Sequence, residues 1–327
     1  MLAATYDRTG PATDVLRVRD VETPEPGPGE VRVRVAVSGV NPTDWKSRAG
    51  ASFGVPDVPF LVPNQDGAGT IDAVGAGVDP SRAGERVWVY FAAWQRRWGT
   101  AAECTVVPAE QAVPLPAEAS FDLGASLGIP ALTAHRCLLA DGPIDGAAVL
   151  VAGGAGAVGH AAIELARWAG ARVVATVSSE EKAELARAAG AEEVVNYREP
   201  GAAERIRAFA PGGVDRIVEV APSRNAALDA EVAARHAVTS FYANEGGGGE
   251  VAVPVRPYMV DNLTLRGVLV YTVPEAALRR AVADVSAAVA AGALTTLPLH
   301  RFPLEAIAGA HDAVEGGAVG KVVVDVP

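Results

Sequence analysis

The chain is poor in several things, and each shortage excludes something. Its 327 residues include only two cysteines, Cys104 and Cys137. That excludes a disulfide framework and a cysteine-rich structural zinc site. Two thiols suit a reducing cytosol, so a cytoplasmic location is expected. Basic residues are also scarce: 28 Lys and Arg against 39 Asp and Glu give a formal net charge of −11. An acidic surface repels phosphate backbones, so nucleic acid is not an expected partner. No apolar run reaches the roughly 18 residues of a membrane span without a charge, a proline or a glycine, so no membrane association is expected. The segment Met1 to Arg8 has no basic start followed by an apolar run and does not read as a signal peptide.

What is present suits a large core: half the residues are hydrophobic and a fifth are charged. Length suggests two or three domains. Val31 to Val37 alternates apolar and polar, the mark of a half-buried strand. Gly69–Val74 and Arg86–Tyr90 are further strands, and Asn41-Pro42 starts a short helix, with Asn as cap. This irregular β region runs to about Pro116. After a helical stretch from Phe121 to Leu139 the rhythm changes. Strands at Ala147–Val151, Arg172–Val177, Glu193–Tyr197 and Asp215–Val220 alternate with helices at Val158–Ala169, Glu180–Ala189 and one ending at Ile206–Ala210. Such alternation argues a doubly wound parallel sheet, because parallel strands need crossovers. A strand region at Leu263–Tyr271, helices at Pro274–Ala291 and Phe302–Val314, and a strand at Lys321–Val326 complete the chain. Glu245 to Glu250 is a glycine run that reads as a loop.

Gly154-Ala155-Gly156-Ala157-Val158-Gly159 is a G-x-G-x-x-G between an apolar strand and a helix. Glycines there let the backbone approach a pyrophosphate, and the helix start offers free N–H groups; the alternative is an ordinary tight turn. An NAD site would carry Asp or Glu at the tip of the second strand, to hold the ribose hydroxyls. Here that tip is Ser178-Ser179, with Lys182 beyond it and Tyr197-Arg198 ending the third strand. Hydroxyls and a lysine favour a 2′-phosphate, so NADPH is expected. Ser178 and Ser179 could also cap the next helix, and Glu180 and Glu181 lie close by.

These segments together resemble the zinc-independent, zeta-crystallin-like quinone oxidoreductases of the medium-chain dehydrogenase/reductase superfamily. The resemblance spans Gly39-Val40-Asn41-Pro42-Thr43-Asp44, Gly128 to Ala134, Val149 to Gly159, and Ala189-Gly190-Ala191 with Val195 to Arg198. It implies a GroES-like irregular β catalytic domain, residues 1–119 and 272–327, and a Rossmann NADPH-binding domain, residues 120–271, with the substrate in the cleft between them. It also implies a homodimer. The superfamily's zinc enzymes carry Cys, His and Glu where this chain has Asn41, Gln65 and Asp66. Amides are poor zinc ligands and the five histidines show no i, i+4 pair, so no metal is expected. Without a Lewis acid, what remains is NADPH reduction of a quinone or an α,β-unsaturated carbonyl.

By the same resemblance, Ser178, Lys182 and Tyr197 meet the ribose phosphate, and Ala155 to Val158 meet the pyrophosphate. Thr133, Phe241, Tyr242, Val270 and Tyr271 line the nicotinamide, and Asn41 faces the substrate. Lys46 stands where relatives often have Tyr; it could bind an anion or steady an enolate, or pair with Asp44 on a solvated face. Glu164 stands where the family usually shows Gln. Two other functions stay open: a dedicated enoyl or ketone reductase of a biosynthetic pathway, and a non-catalytic NADPH-binding protein.

Overall fold

A computed structural model describes residues 1–51 and 58–327. It divides the chain into two compact units: Met1–Ile129 with Thr296–Pro327, and Pro130–Thr295. The crossings fall near 129 and 295, where the sequence suggested 119 and 271. The long helix Glu275–Ala290 stays with the second unit because it packs on the helix after the glycine turn.

The first unit opens with a two-stranded sheet of β1 (Leu2–Thr5) and β2 (Arg17–Asp20), with α1 (Ala12–Val15) between them. β3 (Glu30–Val40) is the spine of the main sheet, because its alternating valines Val31, Val33, Val35 and Val37 are all buried. α2 (Pro42–Arg48) leaves directly from its end, with Asn41 as cap and Pro42 at the first helical position, where its missing N–H is no loss. β4 (Asp66–Val74) pairs along one edge of β3. β5 (Arg86–Val89), β6 (Cys104–Pro108) and β7 (Ala112–Pro114) follow; β5 and β7 extend the β4 side, while β6 takes the other edge of β3 over Glu30 to Arg34.

The expected helical stretch Phe121–Leu139 is two helices, α3 (Phe121–Gly124) and α4 (Gly128–Leu139). The second unit is then a six-stranded sheet, every pairing parallel. Its strands are β8 (Ala148–Ala152), β9 (Arg172–Val177), β10 (Glu193–Asn196), β11 (Val214–Glu219), β12 (Ala233–Phe241) and β13 (Thr264–Gly267). The order β10-β9-β8-β11-β12-β13 reverses direction between β8 and β11, the doubly wound arrangement with its ligand crevice at the reversal. Five crossover helices join the strands: α5 (Ala157–Trp168), α6 (Glu180–Ala188), α7 (Ala202–Phe209), α8 (Pro222–Val232) and α9 (Val255–Val260). Leu150, Val174, Val195 and Ile217, all buried, pack with Ile206 of α7 on one sheet face.

Two expectations shift in detail. Leu263–Tyr271 is strand only through Gly267, where pairing with Phe241 ends; Val270–Thr272 is a turn of 3-10 helix. After α10 (Glu275–Ala290), the expected helix at Phe302 begins later. β14 (Leu299–Pro303) comes first, held as a strand by parallel pairing to β15 (Lys321–Asp325), and α11 is Ile307–Glu315. β15 completes the first unit by pairing with the far half of β3, Val37 to Val40.

Candidate active site

In the second unit, all but one of the expected cofactor residues lie beyond the carboxyl ends of the parallel strands. Gly154 to Val158 follow β8, and the N–H groups of Gly153 and Gly154 bond to Thr176 O of β9. Ser178 and Ser179 follow β9; Tyr197 follows β10, and its N–H bonds to Val177 O. Phe241 ends β12 beside Gly267 of β13, and Tyr242 donates its N–H to Glu219 O of β11. Val270 and Tyr271 sit in the turn after β13. Thr133 is the exception, buried on α4.

The glycine turn separates structural from functional need. A Cβ on Gly154 would sit 2.8 Å from Ala175 Cβ, and one on Gly159 would sit 2.3 Å from Gly153 O. Those two glycines are required by the packing of α5 against the sheet. Gly156 caps α5 with ordinary backbone angles, and a Cβ there would meet only Gly153 O at 3.4 Å. The space over Gly156 is therefore open. The N–H groups of Ala157 and Val158 point out of the first helical turn, where no helical carbonyl can reach them. The turn fits a dinucleotide pyrophosphate.

At the tip of β9 the Ser179 hydroxyl accepts the Lys182 N–H at 3.4 Å, so Ser179 does cap α6. Glu180 turns away to an ion pair with Arg187 at 2.6 Å. Tyr197 is 48% exposed, so its ring is available to a ligand. Sequence reasoning missed a buried acid pair nearby. Glu219 Oε1 accepts from Ala221 N and Asn225 Nδ2, and burial pushes up both its carboxyl and that of Asp229, the latter further raised by Glu219 itself. Burial likewise pushes up the Tyr242 phenol, with Cys137 and Glu219 adding to it.

In the first unit Asn41 lies at the junction of three strands. It directly follows β3; Asp66 opens β4 opposite Gly39; Lys321 opens β15, one residue before Val322, which pairs with Val40. Their side chains meet in a buried cluster. Lys321 Nζ donates to Asn41 Oδ1 at 2.8 Å and to Val40 O at 3.2 Å. Asn41 Nδ2 donates to Asp66 Oδ2 at 2.7 Å, and Ile129 N–H reaches the same oxygen at 2.8 Å. Gly128 makes that approach possible, since a Cβ there would lie 2.1 Å from Asp66 Oδ1. Asp44 closes the group by accepting the N–H groups of Asn41 at 2.7 Å and Gln65 at 3.1 Å.

Burial raises Asp66 to about 6, against the pull of Lys321, and raises Asp44 to about 8, with the Asp66 charge adding to the effect. Burial lowers Lys321, while the two carboxylates draw it back up. Behind the cluster, Thr100 Oγ1 donates to Asp66 O, and Ser38, Asn64 and His311 continue the chain of buried hydrogen bonds. Sequence reasoning missed Lys321; the signal was a lysine opening the otherwise apolar run Val322-Val323-Val324. Lys46, half-buried on α2, holds its ammonium 5.6 Å from the Trp45 ring centroid.

Two family models match: the alcohol dehydrogenase GroES-like domain over residues 27–117 and the zinc-binding dehydrogenase over residues 157–287. The quinone oxidoreductase of Lama guanicoe is 31% identical over 315 residues, covering 95% of this chain and 93% of that protein. A structure of an NAD-dependent alcohol dehydrogenase aligns over 100% of both chains with a TM-score of 0.90 and 29% identity. A mycobacterial protein solved with NADPH aligns over 99% of this chain and all of that one, with a TM-score of 0.84 and 28% identity. The second model's description implies zinc, and the first unit does not fit it. Asn41 Oδ1 is engaged by an ammonium rather than open to a metal, and Gln65 offers only an amide. Among the described residues, no group of three or more His, Cys, Asp or Glu could hold a metal ion.

Two outcomes are expected. Gly156→Ala will keep wild-type thermal stability within about 0.5 kcal/mol, whereas Gly159→Ala will lose about 1–3 kcal/mol from the clash with Gly153 O. Differential scanning calorimetry of the two variants decides this, and equal midpoints would refute it. The second concerns Asp66. Its folded value lies above the unfolded value of about 3.9, so the native state holds the extra proton between about pH 4 and 6. Stability from this group is present at the acid end and lost as pH rises through that window. Relative to Asp66→Asn, wild type should therefore lose about 1.4 kcal/mol per pH unit across it in urea titrations. Parallel curves would show that Asp66 ionises normally.

Proposed function

The chain belongs to the quinone oxidoreductase family of the medium-chain dehydrogenases/reductases, and from that premise we propose that it is an NADPH-dependent reductase of a quinone or an α,β-unsaturated carbonyl that works without a metal. The observation that carries this reading is the gathering of the cofactor residues at the carboxyl ends of the parallel strands, around a glycine turn left open at Gly156. When bound there, NADPH supplies the reducing equivalent, and the protein's part is to bind, orient and polarise.

In this reading the N–H groups of Ala157 and Val158 hold the pyrophosphate, and the residues Gly154 to Gly156 keep the approach clear. Ser178, Lys182 and Tyr197 hold the ribose 2′-phosphate, a charge that a carboxylate at the β9 tip would repel. Ser179 serves by keeping α6 capped. Thr133, Phe241, Tyr242 and Val270 line the nicotinamide. Asn41 donates an N–H to the acceptor oxygen; Lys46 and Tyr271 are assigned to the acceptor on the family resemblance. Lys46 stands on α2 where relatives often carry Tyr, and that departure keeps the dedicated enoyl reductase as a second reading. A cytoplasmic location is consistent with Cys104 and Cys137 being buried free thiols.

The test is a titration with NADPH and with NADH, read by nicotinamide fluorescence, followed by 1,4-benzoquinone and a simple enone. NADPH should bind more tightly by about tenfold or more and be oxidised, and Ser178→Asp should reverse the preference. Preference for NADH, or NADPH bound but oxidised by neither acceptor, would defeat the reading.

A homodimer is part of the same proposal. β13 is an edge strand, and the α9 helix before it exposes Val255 (65%), Met259 (72%) and Val260 (57%). An open strand edge beside exposed apolar side chains is the material of a self-complementary interface. Light scattering should give twice the chain mass, and Met259→Glu should shift it toward 33.4 kDa. A wild-type monomer would end this part of the proposal.

A further inference from the structure

Among the described residues the first unit buries one lysine, Lys321, and its surroundings are unusual for a side chain so costly to desolvate. Lys321 is 3% exposed. Among the described residues its ammonium touches no carboxylate directly. Its two hydrogen-bond partners are the Val40 carbonyl and Asn41 Oδ1, while Asp66 and Asp44 lie behind them as neighbouring charges. The Asn41 carboxamide is thus bonded at both ends, its oxygen on a cation and its nitrogen on an anion. That arrangement allows only one orientation of the amide: the flipped form would face N–H against the ammonium and the amide oxygen against Asp66. It also draws electron density toward Oδ1, which makes the remaining Nδ2 hydrogen a stronger donor.

We propose that Lys321 is a built-in cation that does here what a bound metal ion does elsewhere: it balances the charge of the Asp66 carboxylate and locks Asn41 so that the amide presents N–H, never oxygen, to an acceptor carbonyl. Lys321 is a positioning residue; it acts through Asn41. The kinetic part rests on the reading of Asn41 as the residue that meets the acceptor. The electrostatic part stands without it. A fixed ammonium at 2.8 Å from Asn41 Oδ1 opposes a second cation beside it, although Gln65 Oε1 and Asp66 Oδ1 have no hydrogen-bond partner among the described residues.

Three variants test this: Lys321→Arg, Lys321→Met, and the double variant Lys321→Met with Asp66→Asn. The last removes the cation together with one carboxylate, so it should fold where Lys321→Met alone is crippled by an uncompensated buried charge. The double variant should bind NADPH as wild type does, because the cofactor residues are untouched. Its kcat for 1,4-benzoquinone should fall by about tenfold or more with KM little changed, and Lys321→Arg should recover part of the loss. In ¹⁵N NMR spectra the Asn41 side-chain amide should be protected and well dispersed in wild type and lose both properties in the double variant. Wild type dialysed against zinc should retain none and show no rise in unfolding midpoint. A folded double variant with wild-type kcat and an unchanged Asn41 amide signal overturns the proposal, as does wild type that retains or is stabilised by zinc. If wild type reduces no acceptor at all, the functional reading falls, while the NMR and zinc measurements still decide the role of Lys321.

Discussion

Everything in the first unit is arranged around one buried ammonium. Lys321 has been taken out of water at large cost, and the fold answers that cost with two carboxylates, an amide and a backbone carbonyl. Those partners come from two strands, β3 and β4, and the helix that follows β3, while the lysine itself arrives on a third strand, β15. The cluster therefore cannot form until β3, β4 and β15 are in register. A slip of one residue would send Asp66 or Lys321 to the opposite sheet face. The charge cluster and the register of the sheet specify each other.

The two units solve different problems with different physics. In the proposed reading the parallel sheet meets a ligand rich in negative charge with unbonded N–H groups, hydroxyls at strand ends and one lysine of α6. Among the described residues the buried carboxyls there are few: Glu164, and the Glu219 and Asp229 pair. The antiparallel unit works by fixed, water-excluded dipoles. Its chain of hydrogen bonds from His311 through Asn64, Ser38 and Thr100 reaches the backbone of Asp66, the residue whose carboxylate anchors Asn41. Such satisfied networks hold side chains in single orientations, which is what an orienting site requires.

Much of this was legible in the sequence where the signal was local. The period-2 valines of β3, the Asn41-Pro42 helix start and the apolar strands of the parallel sheet are written in neighbouring residues. The glycine turn was legible as a motif, but which glycine serves packing and which leaves room emerges only from neighbours such as Ala175 and Gly153 O. At the tip of β9 the structure shows the capping reading, since Ser179 caps α6; the phosphate reading of Ser178 remains part of the proposal. What escaped was non-local. Phe302 looked helical because Ile307 to Val314 is helical; the partner that makes Leu299–Pro303 a strand lies some twenty residues further on. The roles of Lys321 and Asp44 escaped because nothing near them in the chain reveals that β15 returns to β3.

That return has a consequence for how the protein comes into being. The parallel-sheet unit is a continuous segment, Pro130 to Thr295, and holds all its own partners as soon as it leaves the ribosome. The antiparallel unit is made first and finished last, since β3 waits along half of one edge for a strand that begins at residue 321. Domains tend to fold as they emerge, in order of synthesis. Here that order is inverted: the later-made unit can mature first, while the nascent first unit carries Asp44 and Asp66 without their counter-ion and an open strand edge between residues 37 and 40. During that interval the exposed edge is a target for chaperones and for mispairing. The strand that closes the sheet also delivers the ammonium that Asn41 holds.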